Sequence, residues 1–298
     1  MKTVIPFIAA ITFSSFFFVQ CSKDRIEQKQ QINEYEPINN YFDTKKQEEQ
    51  EFVIDTNGQG PIIGNQGTKI WCDKSKLMYP NGDSVYYPYT VKLVELYTPK
   101  DMIYYQMPTV ASGNLLTTGG EVRIRAFKNG QELVLRPNKT WTIEMPNSTP
   151  LSGMNIYYGT INSNIVNWIQ NPNEFFTTTS YGYVGEISRL GWIGCGKLAV
   201  LTGTSFSNFT FSSTTDNLQN VAIFMYYHNL KSLMQVYNQS SGNAPVGDTV
   251  KIVMMGINSS QQLYYFYQKM PVSSTNTQLN ISLSPITDAS MTAILDSL

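Results

Sequence analysis

Few side chains in this sequence could carry covalent or metal chemistry. The chain has a single histidine, His228, and three cysteines, Cys21, Cys72 and Cys195. One histidine cannot supply the His/Cys groups that bind zinc, so we predict neither a metal site nor a cofactor. A Ser-His-Asp triad would have to use His228, but Asn229 follows it and no nucleophile-elbow motif lies nearby. His228 is therefore predicted to occupy a hairpin turn rather than an active site.

Carboxylates are the other candidates for catalysis. Two acids about 5–10 Å apart are enough to hydrolyse a glycosidic bond. Glu95, Asp101, Glu121 and Glu144 lie among residues that we predict to be in or beside strands, where a solvent-facing side chain is the usual explanation. An envelope carbohydrate hydrolase that uses a carboxylate pair therefore stays as the alternative to a non-enzymatic protein.

Cys21 has a different predicted role. Residues 1–20 contain a mostly apolar run, 4–19, which is short for a membrane span of about 20 residues and typical of a signal peptide. A cysteine directly after such a run resembles a lipoprotein signal, although Phe18-Val19-Gln20 departs from the usual lipobox. We predict a lipidated Cys21 that anchors the chain in the membrane. The alternatives are an ordinary signal peptide with an incidental cysteine and an uncleaved anchor.

The other two cysteines leave two alternatives open. Cys72 and Cys195 would reside in an oxidising compartment, where a disulfide between them could form. It would close a long loop and contribute up to ~4–5 kcal/mol in the chain-entropy model. They could equally be two buried free thiols, since free cysteine packs as a small hydrophobe.

Composition excludes one class of partner and favours an all-β chain. Of the 298 residues, 42% are hydrophobic and 14% are charged, with a formal net charge of −1. Such a chain has no basic field for a nucleic-acid backbone, so that partner is not expected. The 19 tyrosines and 15 phenylalanines, together with many Thr residues, are typical of strands. Residues 22 to about 60 are rich in Gln, Asn, Glu and Lys, which predicts a disordered tether over 21–60.

The clearest strand pattern lies between residues 122 and 145. Apolar residues alternate over 122–126, 133–135 and 141–145, and a period of two indicates strands with one buried face. Asn129-Gly130 suits a tight hairpin turn, and Pro137-Asn138 separates the second run from the third. This block is predicted to be a three-stranded antiparallel meander.

Motifs around this block resemble a known fold family. In chain order they are Gly67-Thr68-Lys69-Ile70, the run VKLVELY at 91–97, Lys100-Asp101-Met102-Ile103, Pro108-Thr109 and 115–120. This order is similar to the ZU5-type β-sandwich found in uncharacterised envelope lipoproteins of Gram-negative bacteria, over about 65–146. The later block LGWIGCGK at 190–197 resembles a Gly-Trp-Ile-Asn-Cys-Asp-Arg element of such proteins, with Gly194, Gly196 and Lys197 at the polar positions. The resemblance implies a sandwich fold and an envelope location, and it carries no activity.

The remainder of the chain completes the predicted organisation. Residues 147–298 are expected to form a second β-rich domain with a hairpin at 258–260 and a short C-terminal helix that presents Met291, Ile294 and Leu295 on one side. The predicted order is a signal peptide (1–20), a lipidated Cys21 with a tether (21–60), the ZU5-like sandwich (65–146) and this second domain.

Tyrosine doublets suggest how such a protein would bind. They recur at 86–87, 104–105, 157–158, 226–227 and 264–265. Outward rings could stack on sugars or fill a protein interface, or they could pair with aromatic residues across strands. We predict a non-enzymatic, lipid-anchored module of the outer membrane, facing the periplasm or the cell surface, that binds a protein or glycan or helps to assemble a surface complex.

Overall fold

The computed structural model describes residues 32–298 apart from 57–59, 163–164, 202 and 204. The predicted signal peptide and Cys21 lie outside the described residues. Antiparallel strands dominate the described part of the chain, which confirms the all-β prediction. The strands of the first sheet are β1 (Gln50–Ile54), β2 (Ile62–Ile63), β3 (Lys69–Trp71), β4 (Leu77–Met78), β5 (Tyr89–Leu96), β6 (Val110–Ala111), β7 (Asn114–Lys128), β8 (Gln131–Leu135), β9 (Trp141–Pro146), β10 (Asn155–Asn162), β11 (Ile165–Thr178), β12 (Gly182–Ile187) and β13 (Gly191–Leu198).

The first sheet turns back on itself and encloses its own core. Its main path runs β1-β5-β7-β13-β10-β11-β12-β9-β3-β2. The long strand β11 belongs to both halves, because residues 165–170 pair with β10 and residues 176–178 pair with β12. The two halves cover one apolar cluster that includes the fully buried Trp141 and Ile193. This arrangement is a β-sandwich whose two layers are continuous through β11.

The predicted meander is right for two strands and wrong for the third. Asn129 and Gly130 both have positive φ, 53° and 77°, and they join β7 to β8 in a tight hairpin. Strand β9 instead crosses to the other layer, where it pairs with β12 and β3. Pro137 has no N–H for a ladder, and burial of Trp141 on the far side of the core, with its indole N–H donated to the Asp73 carbonyl at 3.2 Å, fixes the crossing.

The predicted domain boundary after residue 146 is also wrong. Strands β10 to β13 belong to the first sheet, and β13 pairs with β7 from Gly191 to Leu198. The Gly-Trp block therefore forms a central strand. A Cβ atom on Gly194 would lie 3.1 Å from the Trp168 ring, so small residues in β13 make room for that indole.

The predicted tether ends much earlier than residue 60. Residues 39–45 form helix α1 (Asn39–Lys45), and β1 pairs with β5 along its length. Ile38, which caps α1, and Phe42 are four residues apart and are buried in one apolar cluster, which is the helical signal hidden in the polar composition. Tyr35 precedes the helix and is buried in another cluster. Burial of these apolar side chains offsets the loss of conformational entropy on ordering. The average composition of residues 22–60 does not reveal this burial.

The second half of the chain adds nine strands, which are β14 (Phe206–Ser207), β15 (Phe209–Ser212), β16 (Ala222–Tyr227), β17 (Ser232–Val236), β18 (Ala244–Pro245), β19 (Thr249–Ile257), β20 (Leu263–Pro271), β21 (Thr277–Asn280) and β22 (Ser284–Ile286). Five of them form a sheet of order β17-β16-β19-β20-β22, with two short strand pairs beside it. The hairpin at 258–260 joins β19 to β20, as predicted. The remaining α-helices are α2 (Pro99–Tyr105) and α3 (Asp288–Asp296).

The two sheets share a hydrophobic core. One face of the second sheet, with Phe224 and Val253, packs with all three helices against the outer face of the first sheet at Leu96 and Trp168. The C-terminal helix is present as predicted, with Met291 buried in this shared core. Residues 32–298 therefore form one unit rather than two domains. No described helix is long and apolar enough to cross a membrane.

Candidate functional site

Of the two alternatives left open for Cys72 and Cys195, the structure has the free thiols. The two side chains have different neighbours. Cys195 is fully buried on β13 beside Gly119, and the Cys72 Sγ lies 3.7 Å from the Ile70 carbonyl oxygen. Burial raises the pKa of both thiols, which keeps them protonated and unreactive.

Two of the four acids considered for catalysis are buried, contrary to the expectation that they face solvent. Glu95 is 0% exposed and Glu121 is 2% exposed. In the pairing of β5 with β7, Glu95 lies opposite Val122 and Leu96 lies opposite Glu121. Neighbouring positions of a strand point to opposite faces. Glu95 and Glu121 therefore project to opposite sides of the sheet and do not converge on one substrate.

Glu95 is a structural carboxylate. It accepts hydrogen bonds from the main-chain N–H groups of Gln66 and Thr68, at 2.8 and 2.9 Å, and from the Gln50 side-chain amide at 2.9 Å. These bonds tie β1 and the turn before β3 to β5. Asp101 has a comparable local role, since its N–H and carboxylate both bond to the Thr98 hydroxyl at the start of α2.

Glu121 is buried in a different way. Among the described residues, its Oε2 atom has no hydrogen-bond partner, and its side chain lines a cavity of about 10 Å³ together with Thr109, Thr118 and Trp168. A cavity of that size has room for about one water molecule. Burial raises the pKa of Glu121 well above its ordinary value, so the carboxyl group is neutral over a range in which an exposed glutamate is charged.

A larger cleft opens where the two sheets meet, and we call it the junction cleft. Its volume is about 360 Å³. One wall is Thr118-Gly119-Gly120 on β7 with Asn147-Ser148-Thr149 after β9, and the other is the turn that joins β16 to β17, with His228 and Lys231. Tyr97 and Tyr226 also line it. The cleft thus unites three segments that lie far apart in the sequence.

The glycine pair shapes the first wall. The β13–β7 register shifts here, because Cys195 pairs with Gly120 and the next residue, Gly196, pairs with Thr118. Gly119 is the extra residue of this β-bulge, which bends β7. Gly120 has φ of +122°, and a Cβ atom at this position would collide with the Tyr97 ring. Only glycine combines that φ with this close approach.

The second wall confirms the prediction that His228 occupies a hairpin turn. The main-chain oxygen of Lys231 accepts a hydrogen bond from the Thr118 N–H at 3.1 Å, which joins the two walls. The rings of His228 and Tyr226 pack edge to face, with 6.0 Å between their centroids. The Nδ1 atom of His228 lies 3.3 Å from the main-chain oxygen of Leu298. His228 is thus held by tertiary contacts although it belongs to a turn.

The junction cleft is lined mostly by neutral polar and aromatic groups. Among its described lining residues, none is Asp or Glu, and the cationic or basic groups are His228 and Lys231. Burial raises the pKa of Tyr97 and Tyr226, so both phenols stay neutral, and the Tyr97 hydroxyl is already hydrogen-bonded to that of Thr68 at 2.7 Å. Hydroxyls, an amide and aromatic edges suit a polar, uncharged ligand surface better than acid–base catalysis.

Sequence patterns alone did not point to this cleft. The one local signal is the Gly119-Gly120 pair, and two adjacent glycines indicate a sharp bend of the backbone without indicating a cleft. Within the described residues, no group of three or more His, Cys, Asp or Glu side chains is arranged to hold a metal ion. Comparison of the chain with protein-family models, curated proteins and solved structures gives no match.

Proposed function

We propose that the chain is a lipid-anchored protein of the cell envelope, with a ZU5-like sandwich, that binds a saccharide in the junction cleft without chemical turnover. The observation that carries this proposal is the composition of the cleft. Its lining combines two tyrosines with Thr, Asn and Ser side chains and, among the described residues, no carboxylate. Sugars are recognised by such hydroxyl and amide groups beside aromatic rings.

The size of the cleft fits a short segment of a saccharide. Pockets that bind small molecules typically have volumes of about 300–1,000 Å³, and the junction cleft has about 360 Å³. A rigid wall favours binding because little conformational freedom is lost. Here the Thr118–Lys231 main-chain bond and the close contact of Gly120 with Tyr97 supply that rigidity.

The alternative, a carbohydrate hydrolase with a carboxylate pair, receives no support from the two buried acids. Glu95 and Glu121 face opposite sides of one sheet, and neither lines the junction cleft. The alternative makes its own prediction, which is the release of reducing sugar from a bound saccharide over time. A binding protein leaves the saccharide intact.

The first test addresses the anchor. Cells that express the full chain are labelled with a clickable palmitate, and we expect label on the wild-type protein and none on the Cys21→Ala variant. Protease treatment of intact cells then separates a surface location, in which the protein is degraded, from a periplasmic one. Label that persists in Cys21→Ala, or its absence from the wild-type chain, would contradict lipidation at this residue.

The second test addresses the cleft. Ser148 is exposed and lines the junction cleft, so the indole of Ser148→Trp would fill it. On a saccharide array, we expect the full-length wild-type chain to bind a defined subset of sugars and Ser148→Trp to bind them about tenfold more weakly or not at all.

Ser152→Trp provides the matched control for this test. Ser152 is equally exposed on the same loop and does not line the cleft. We expect this variant to bind as the wild-type chain does. Equal loss of binding in both variants, or saccharide binding that Ser148→Trp leaves unchanged, would place the site elsewhere.

A further inference from the structure

A second cleft adjoins the junction cleft and shares His228 with it. We call it the lysine cleft. Its volume is about 350 Å³, and its lining residues are His228, Asn229, Thr249, Lys251 and Lys269. Every charged side chain in this set is a lysine, and the histidine is the remaining basic group. In a chain whose formal net charge is −1, this is a local concentration of positive charge.

The two lysines are placed side by side by the sheet itself. In the second sheet, Tyr226 pairs with Lys251, and Lys251 pairs with Lys269. Residues directly opposite each other on antiparallel strands project from the same face, so the two ammonium groups are neighbours. Like charges in that arrangement destabilise a sheet. Burial and then the proximity of Lys269 lower the pKa of Lys251, which agrees with this repulsion.

Side-chain carboxylates do not relieve the repulsion in the described part of the chain. Lys251 donates to the main-chain oxygens of Ser297 and Leu298, at 2.6 and 3.0 Å, and these bonds orient its ammonium group. Among the described residues, Lys269 and the exposed Lys231 of the junction cleft make no ion pair. The acid closest in sequence to Lys251 is Asp248, which is buried and influences Tyr227.

The acids of α3 are also engaged elsewhere. Asp296 pairs with Lys100 at 2.6 Å, and Asp288 pairs with Lys45 at 2.7 Å. Among the described residues, no side-chain carboxylate therefore pairs with Lys251 or Lys269, and the main-chain oxygens of Ser297 and Leu298 offset positive charge only at Lys251. The lysine cleft keeps a positive potential at Lys269, and a concave site concentrates such a potential on an anion that enters it.

We infer that the lysine cleft binds the anionic group of an acidic saccharide whose neighbouring sugar lies in the junction cleft. This inference rests on the proposed function, and it specifies the ligand as a sugar that carries a carboxylate or a phosphate. Lys251 and Lys269 meet the oxyanion, while Thr249 and Asn229 supply neutral hydrogen-bond donors. His228, which lines both clefts, contacts the ligand at the point where its neutral and charged parts join.

The test compares two saccharides that differ only in charge. Tetragalacturonate and the neutral tetrasaccharide made by reducing its carboxylates to alcohols are titrated into the full chain by calorimetry. We expect the acidic form to bind on the order of tenfold more tightly at low ionic strength and to lose that advantage as salt is added.

Variants of two lysines test whether the lysine cleft causes the difference in affinity between the acidic and the neutral saccharide. Lys269 is exposed and makes no ion pair among the described residues, so Lys269→Ala should fold normally. We expect this variant to bind tetragalacturonate about fivefold more weakly and the neutral saccharide unchanged. Lys139→Ala is the matched control, because Lys139 is equally exposed but lies in the turn before β9.

The outcomes separate the two proposals. Equal binding of both saccharides that Ser148→Trp abolishes would overturn the anion site and leave the proposed function standing. If neither saccharide binds, inorganic phosphate is added at constant ionic strength and Tm is measured. A rise in Tm of the wild-type chain that Lys269→Ala lacks would support the anion site without the saccharide, and no rise would overturn it.

Discussion

The Glu121→Gln variant is expected to be more stable than the wild-type chain at pH 7, by at least about 1 kcal/mol. Glutamine has nearly the same shape as glutamate and never carries the charge that the core disfavours. Glu121 is 2% exposed, and no described residue forms a hydrogen bond with its Oε2 atom. The substitution therefore removes an ionisable group without opening a cavity.

The direction of the pH dependence follows from the raised pKa of Glu121. Below the pKa of the unfolded chain, about 4.3 for glutamate, the group is protonated in both states and has no effect on stability. As the pH rises above that value, the unfolded state releases the proton first. Each further pH unit then costs about 1.4 kcal/mol of stability until the folded-state pKa is reached.

Urea unfolding from pH 5 to pH 8 measures this dependence. We expect the stability of the wild-type chain to fall with pH relative to that of Glu121→Gln, with the difference growing across the range. Glu132→Gln is the control, since Glu132 is an exposed acid on the neighbouring strand β8. Parallel pH profiles for the wild-type chain and Glu121→Gln would show that Glu121 ionises freely in the folded protein.

The position of Glu121 connects this prediction to the junction cleft. Thr118 lines both the small cavity that holds Glu121 and the junction cleft. A neutral Glu121 leaves the wall of the cleft without a buried charge behind it. We therefore expect Glu121→Gln to bind a saccharide as the wild-type chain does, so that the stability and binding effects of this region are separable.

Local patterns predicted the elements whose structure is set locally. The Asn129-Gly130 hairpin formed as expected because both residues adopt positive φ at little cost. The apolar side of α3 was predicted for a similar reason, since its spacing places Met291 and Leu295 together. In these cases a few adjacent residues decide the conformation.

Tertiary packing decided the features that the sequence did not predict. Strand β9 has the same alternation whichever layer it joins, and only burial of Trp141 against the far half of the core selects one. The solvent-facing interpretation of Glu121 failed because period-two alternation identifies the two faces of a strand without showing that both are covered. The junction cleft is formed jointly by β7, the loop after β9 and the β16–β17 turn, so no sequence pattern within one segment predicts it.

The packing of residues 33–36 supports the last prediction. Asp216 is 4% exposed and accepts hydrogen bonds from the Tyr35 hydroxyl at 2.6 Å, the Asn33 amide at 3.1 Å and the Leu283 N–H at 3.2 Å. Burial raises the pKa of Asp216, but the hydrogen bonds from Tyr35, Thr215 and Asn33 outweigh it and hold the pKa below its ordinary value. One carboxylate thus joins the start of the described chain to the loops that contain Asp216 and Leu283.

Asp216→Ala is expected to destabilise the protein by about 3 kcal/mol, because it leaves several buried donors without an acceptor. The stabilisation by the charged carboxylate is fully present above the unfolded pKa of about 3.9 and is lost as the pH falls through the lower folded pKa. Asp216→Asn isolates the effect of the charge, because asparagine is close to aspartate in shape and is neutral. Urea unfolding should therefore give a free energy of unfolding that is much lower for Asp216→Asn than for the wild-type chain at pH 7, and a smaller difference at pH 3. Asp83→Ala, at an exposed turn, should leave the free energy of unfolding unchanged at both pH values.

The same variant bears on how closely the protein is held to a membrane. If Cys21 is lipidated as proposed, residues 22–32 separate the lipid from the fastened segment, and covalent geometry limits their reach to about 40 Å. Release of residues 33–36 by Asp216→Ala would extend the chain to the start of α1 and expose a new protease site there. We expect limited proteolysis to cut Asp216→Ala between residues 32 and 38 and to spare the wild-type chain. Equal cutting of both would show that the hydrogen bonds of Asp216 do not hold this segment in place.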